Sequence, residues 1–161
     1  MKKLIFFPKP SQIVTLLPIP FRKNYSDVQS IIHCLEIQIE KPANAVKQAL
    51  NWSENKPCNT FKYLISITPE GRINFISDGY GGRQSDSVIF EDCGILELLP
   101  KNAAVMADRG FKNVAHLISE KDCTFVKPPS VNSKTTPAKE EVLETKKISA
   151  LRIHVEMSIG R

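Results

Sequence analysis

Residues 103–111 read Ala-Ala-Val-Met-Ala-Asp-Arg-Gly-Phe, and this stretch decides how the rest of the chain is arranged. Five small or apolar residues form a short buried strand that runs directly into a carboxylate, Asp108. In a sheet with parallel pairing, ligands collect at the carboxyl ends of the strands. The Arg109-Gly110 step gives the sharp exit that keeps the carboxylate at the rim and out of the packing of a following helix. A hard divalent cation needs one or two carboxylates, so the remaining question is which elements bring partners to Asp108.

The chain has 161 residues, is 42% hydrophobic and 24% charged, and is long enough for one domain with a real core. Lys+Arg 22 against Asp+Glu 17 leaves a formal charge of +5, which is compatible with a nucleic-acid partner without requiring one. Cys34, Cys58, Cys93 and Cys123 show neither paired zinc spacing nor the density of a secreted disulfide scaffold. They read as buried free thiols of a reducing compartment. The opening Met1-Lys2-Lys3-Leu4-Ile5-Phe6-Phe7 imitates a signal peptide until Pro8-Lys9-Pro10 cuts the apolar run short, so it reads as mature chain. No stretch approaches the ~20 apolar residues of a membrane span.

Residues 1–30, with four prolines and no sustained period, read as an extended lead-in with a possible helical turn at Gln12–Leu17. Residues 31–161 read as the domain. From Ile31 to Glu40 the chain takes up the alternation of a half-buried strand, with His33 on the parity of Leu35, Ile37 and Ile39 and so toward the core. Lys41–Thr60 reads as a loop around one helical turn at Ala45–Leu50. Phe61–Thr68 and Ile73–Ser77, joined by Pro69-Glu70-Gly71-Arg72, form a hairpin. The glycine-rich turn 78–83 leads to Ser85 or Asp86 as the cap of a helix over Ser87–Phe90, with a second helical piece at Ile95–Leu99. After the Ala103 strand come a helix at Asn113–Ser119, a brief strand at Cys123–Val126 and a polar linker, Ser130–Thr136. A long helix from Pro137 to Arg161 follows, capped by Thr136, with Ile148, Leu151, Val155 and Ile159 on one stripe. Glu156 lies at the edge of that stripe with Arg152 one turn behind. Antiparallel strands followed by alternating strands and helices predict an α/β mixed sheet with flanking helices.

Four ordered stretches make the chain recognisable: Ile31-Ile32-His33-Cys34-Leu35-Glu36 with Ile39-Glu40-Lys41-Pro42; Gly79-Tyr80-Gly81-Gly82-Arg83-Gln84-Ser85-Asp86; Ala107-Asp108-Arg109-Gly110-Phe111; and Arg152-Ile153-His154-Val155-Glu156 with Ile159-Gly160-Arg161. Together they resemble the DDE superfamily endonuclease domain of Harbinger-like transposases and of the nuclease domains found behind THAP zinc fingers. The resemblance implies an RNase H-like fold and a transposase-derived endonuclease that uses divalent metal, Mg²⁺ or Mn²⁺, on DNA. It also implies a nuclear setting, with DNA recognition supplied by a separate subunit or domain. Carried over by position, the catalytic and metal-binding carboxylates fall at Asp108 and Glu156, and the first ligand position falls at His33.

The family pattern has an aspartate where His33 stands, and Asn55 and Cys58 replace an expected tyrosine and histidine. Two metals about 3.5–4 Å apart need a shared anionic oxygen ligand. A neutral imidazole offers one nitrogen and suits Zn²⁺ or Mn²⁺ better than Mg²⁺. Impaired catalysis is therefore expected, and a degenerate copy retained for DNA or protein binding is the competing function. Each residue also has a plain structural reading. His33 is equally well a hydrogen-bonded core histidine, Asp86 either a helix cap or a carboxylate supporting the site, and Glu156 a surface partner of Arg152. Lys127, Lys134, Lys139, Lys146 and Lys147 form either a DNA-facing surface or a scattered solvated face, and no DNA-binding residue is assigned.

Overall fold

The computed structural model describes residues 7–128 and 139–159, without the side chains of 152–156, 158 and 159. The elements are α1 (Pro10–Thr15), α2 (Ile19–Arg22), β1 (Val28–Gln38), α3 (Ala45–Asn51), β2 (Thr60–Ile67), β3 (Ile73–Ile76), β4 (Tyr80–Gly81), α4 (Asp86–Asp92), β5 (Ala104–Met106), α5 (Ala115–Glu120), β6 (Thr124–Val126) and α6 (Lys139–Ile159). A single 3-10 turn, Ile95–Glu97, precedes β5.

The sheet runs β3-β2-β1-β5-β6, with the two-residue β4 attached to β2. Pairing is antiparallel from β1 through β2 to β3, and parallel from β1 through β5 to β6. This is the expected α/β mixed sheet with flanking helices, in the strand order of an RNase H-like domain. The hairpin stands where the sequence puts it, because Pro69 to Arg72 closes tightly: Thr68 Oγ1 accepts from the Arg72 amide, and Gly71 takes φ 92°.

Strand β1 is the centre of the molecule. Ile31 and Ile32 are both fully buried, one on each face, so the strand is covered on both sides there; from His33 to Glu36 it is half-buried, and Ile37, which the alternation placed toward the core, is exposed. One face packs Ile32, Leu64, Phe75, Val105 and Ala107 against Ile89 and Phe90 of α4 and Ile118 of α5. The other packs Ile31, Ile65, Ile67, Ala104 and Met106 against Ile148 and Leu151 of α6.

The first thirty residues differ from the extended lead-in that their prolines suggest. Pro10 sits in the first turn of α1, and Pro18 and Pro20 flank the start of α2, positions at which a missing amide costs nothing. Ile13, Leu17 and Phe21 are buried in the same cluster as Ile148, and β1 begins at Val28. The segment therefore completes the α6 face of the sheet.

The glycine-rich turn also holds more order than expected. A Cβ on Gly81 would run into the Leu50 carbonyl and one on Gly82 into the Thr60 hydroxyl, so only glycines let this chain lie against α3 and pair with β2. The polar linker Ser130–Thr136 and the start of the last helix at Thr136-Pro137 lie outside the described residues. Of the predicted stripe, Ile148 and Leu151 are buried, whereas the side chains of Val155 and Ile159 lie outside the description.

If residues 10–22 belong to the domain core, Phe21→Ala should cost about 3–5 kcal/mol, the usual penalty for emptying a buried aromatic site. Urea unfolding of the full chain followed by circular dichroism measures this. A change below about 0.5 kcal/mol would show that the segment is dispensable.

Candidate active site

The site forms at the carboxyl end of the parallel part of the sheet. Val28, Ser30 and Ile31 of β1 pair with Ala104, Val105 and Met106 of β5. The Ala107 amide still donates to the Val126 carbonyl at 3.0 Å, so Asp108 is the first residue to leave the sheet. Its Oδ1 accepts from the Gly110 amide at 2.8 Å, closing the turn that holds the carboxylate at the rim. Continuing the Ile31–Met106 pair by two residues on each strand brings His33 and Asp108 to the same level of the sheet.

His33 shares parity with Ile31 and Leu35, which lie on the α6 side. It is half-buried, where its alternation pattern predicts a core position. Asp108 opens toward α6 as well: Asp108, Arg109 and Gly110 line a cavity of about 310 Å³ with Pro128, Thr145 and Ser149. Arg109 Nη2 donates to Thr145 Oγ1 at 3.4 Å, tying the rim to the helix. Glu156 lies in α6, but its side chain and that of Arg152 are outside the description. Among the described residues, no three His, Cys, Asp or Glu side chains form a cluster able to hold a metal ion.

The structure gathers a second carboxylate at Asp108 from another direction. An ideal Cβ on Gly110 would lie 2.7 Å from Asp86 Oδ2 and 2.9 Å from Asp108 Oδ1, so the two carboxylates converge on one point and glycine is the residue that lets them. Asp86 is not the helix cap. That role belongs to Ser85, whose side chain accepts from the Val88 amide, and Asp86 is the first residue of α4. The serine hydroxyl takes the exposed amide, and the Asp86 carboxylate is turned to Lys62 and toward Gly110.

Lys62 is the residue that sequence reasoning missed. It is only 6% exposed, and its ammonium donates to Asp86 Oδ1 at 3.3 Å and to the Gln84 carbonyl at 3.0 Å. A buried charge is tolerated only when paired in this way. The signal was available in the strand's parity: Lys62 alternates with Leu64 and Ser66, both fully buried, while Phe61 faces solvent.

The thiol of Cys34, on the parity opposite to His33, responds to the same groups. Burial, the negative charge of Asp86 and a hydrogen bond to it, and the charge of Asp108 push it well above the ordinary thiol range, with Lys62 opposing. All four cysteines are free thiols, Cys123 buried and the others half-buried. On the other side of Gly110, Asp86 and Lys62 line a polar cleft of about 610 Å³ with Arg83, Glu91 and Lys112.

With the geometry in place, the comparison with known families is informative. The sequence pattern of the DDE superfamily endonuclease matches residues 32–161. The chain belongs to that family, a transposase-derived family of nucleases whose substrate is DNA and whose members generally use divalent metals. No curated protein and no solved structure matches the chain. No helix among the described residues is long and apolar enough to cross a membrane.

Because the thiolate is the reactive form of cysteine, the upward shift makes Cys34 inert where an ordinary thiol begins to react. In the native protein at mildly alkaline pH, Cys34 should resist iodoacetamide, and it should label readily in urea. Peptide mass mapping of the two samples checks this, and equal labelling in both would contradict the described burial.

Proposed function

We propose that this chain is a divalent-metal-dependent DNA endonuclease domain whose catalysis is impaired by the histidine at position 33. The observation that carries the reading is the position of Asp108. It is the first residue to leave the sheet after β5, two residues past Met106 as His33 is two past its partner Ile31, and it lines the cavity shared with Thr145 and Ser149 of α6. Glu156 lies on the same helix as Thr145 and Ser149, at the position that the family pattern gives to the third carboxylate. Asp108 and Glu156 are the residues we assign to catalysis and metal binding, with His33 as the third metal-facing position.

The donors suit one cation better than a bridged pair. Asp108 offers hard carboxylate oxygen, whereas His33 offers a single nitrogen and no charge when neutral, a set that favours Mn²⁺ over Mg²⁺. When bound, such an ion supplies charge stabilisation at the scissile phosphate. The chain's own groups would do the rest. The Gly110 amide fixes the Asp108 carboxylate, Arg109 ties the rim to α6, and the exposed Arg83 and Lys112 at the edge of the polar cleft meet the phosphate backbone. We assign this activity to the nucleus, the setting that the resemblance to transposase-derived nucleases implies, with target choice left to a separate DNA-binding subunit or domain.

A second reading is a catalytically inactive domain retained for DNA or protein binding, and the histidine at position 33 favours it. One substitution separates the two. His33→Asp restores an anionic oxygen at the same strand position, and with Mg²⁺ or Mn²⁺ present it should raise nicking of supercoiled DNA by about a hundredfold over the parent. Adding Glu156→Gln should abolish the gain. If neither His33→Asp nor Asp108→Asn changes Mn²⁺ affinity or nicking, the active-site reading is wrong. Efficient cleavage by the parent would instead show that histidine serves as a competent ligand.

Binding to duplex DNA supplies an independent check. If the basic balance reflects phosphate contact, affinity should fall steeply between low and moderate salt, because each neutralised phosphate releases counterions. Fluorescence anisotropy with a labelled duplex measures the slope. A flat response would remove the nucleic-acid meaning of the charge.

A further inference from the structure

Lys62 stands directly opposite Glu36 in the β1–β2 register, the natural cross-strand partner for an ammonium. Glu36 is otherwise engaged, since its Oε1 accepts from the Thr60 hydroxyl at 2.6 Å. The Lys62 side chain instead reaches Asp86 at 3.3 Å, and its remaining contact is the neutral Gln84 carbonyl. Asp86 Oδ2 in turn faces the point beside Gly110 that Asp108 Oδ1 also faces. A fixed monovalent cation therefore holds one carboxylate of a converging pair, at the end of the sheet where a divalent cation would bind.

We infer that the Lys62 ammonium is the resident cation of this carboxylate pair, neutralising Asp86 and competing with a divalent ion for it. The inference rests on the reading that Asp108 belongs to a cation site, and it adds that the site's capacity is limited from within. With Asp86 occupied and an imidazole at position 33, one divalent ion is the most the native chain takes. Lys62 thus supplies by a covalently held charge part of what a second metal would bring, and it keeps the carboxylates together without one.

The test uses Mn²⁺ alone as probe, titrated into the full chain and followed by the paramagnetic signal of the free ion, alongside thermal melting. Lys62→Met releases Asp86 and should bind Mn²⁺ about tenfold more tightly or take up one further equivalent. Lys62→Arg keeps the charge and should bind as the parent does. The gain should vanish in Lys62→Met combined with Asp86→Asn. If Lys62→Met folds only when Mn²⁺ is added, the divalent ion has replaced the ammonium, which is also the expected behaviour.

No gain in a folded Lys62→Met chain overturns the inference, and so does failure of that chain to fold at any Mn²⁺ concentration. A parent that binds no Mn²⁺, and is indifferent to Asp108→Asn, sinks the reading of Asp108 as a native metal ligand. An Asp86-dependent site that appears in Lys62→Met would still support the assignment of Lys62.

Discussion

The parallel pairing of β1 with β5 is the constraint on which the rest of the molecule depends. Parallel neighbours run the same way, so β5 gives out beside the stretch of β1 that follows Ile31, while β1 itself continues to Gln38 along β2. Everything that approaches the rim is arranged around that point. The Ala107 amide holds β6 in place, Arg109 reaches α6, and Gly110 leaves room for α4 to bring Asp86 against the turn. An antiparallel β5 would have sent Asp108 to the opposite end of the sheet, away from His33.

The two faces of β1 divide the polar groups between two different jobs. On the α6 side lie His33 and the cavity that Asp108 shares with Thr145 and Ser149. On the α4 side lie Cys34, Lys62 and Asp86, a compact group in which the lysine offsets charge that would otherwise be left uncompensated in a poorly solvated place. Asp108 is the residue common to both groups. Its charge is felt by Cys34 on one side, and it opens on the α6 cavity on the other.

Much of this was legible in the sequence, because periodicity and turn chemistry carry it. The hairpin follows from Pro69 to Arg72, the strand at 104–106 from its apolar run, and the α/β class from the order of elements. Around the expected turn at Gln12–Leu17, the packing of residues 10–22 was obscured because prolines signal extended chain and helix starts alike, and only burial of Ile13, Leu17 and Phe21 distinguishes them. The partnership of Lys62 with Asp86 was invisible for a different reason. Parity places a lysine on the inner face, but which anion waits there depends on how α4 packs over the sheet, and no local pattern encodes that. His33 stood on the expected strand, and the four ordered motifs, not composition or charge, led to the family.

Helix α6 touches the body of the protein through a short stretch. Ile148 and Leu151 are buried and Thr145 is held by Arg109, while Val142, Leu143 and Met157 are exposed, so among its described side chains the stretch 145–151 acts as the fulcrum. Position 156 lies five residues beyond Leu151, about 7.5 Å along the axis. A lever of that length converts a tilt of roughly ten degrees into a displacement of more than ~1 Å, larger than the ~0.5 Å tolerance of a working constellation. The position of the far end of α6 is consequently governed by how Ile148 and Leu151 seat in the cluster they share with Phe21, Ile31 and Met106. Side chains remote from Asp108 thus act as the adjusting screw of the helix.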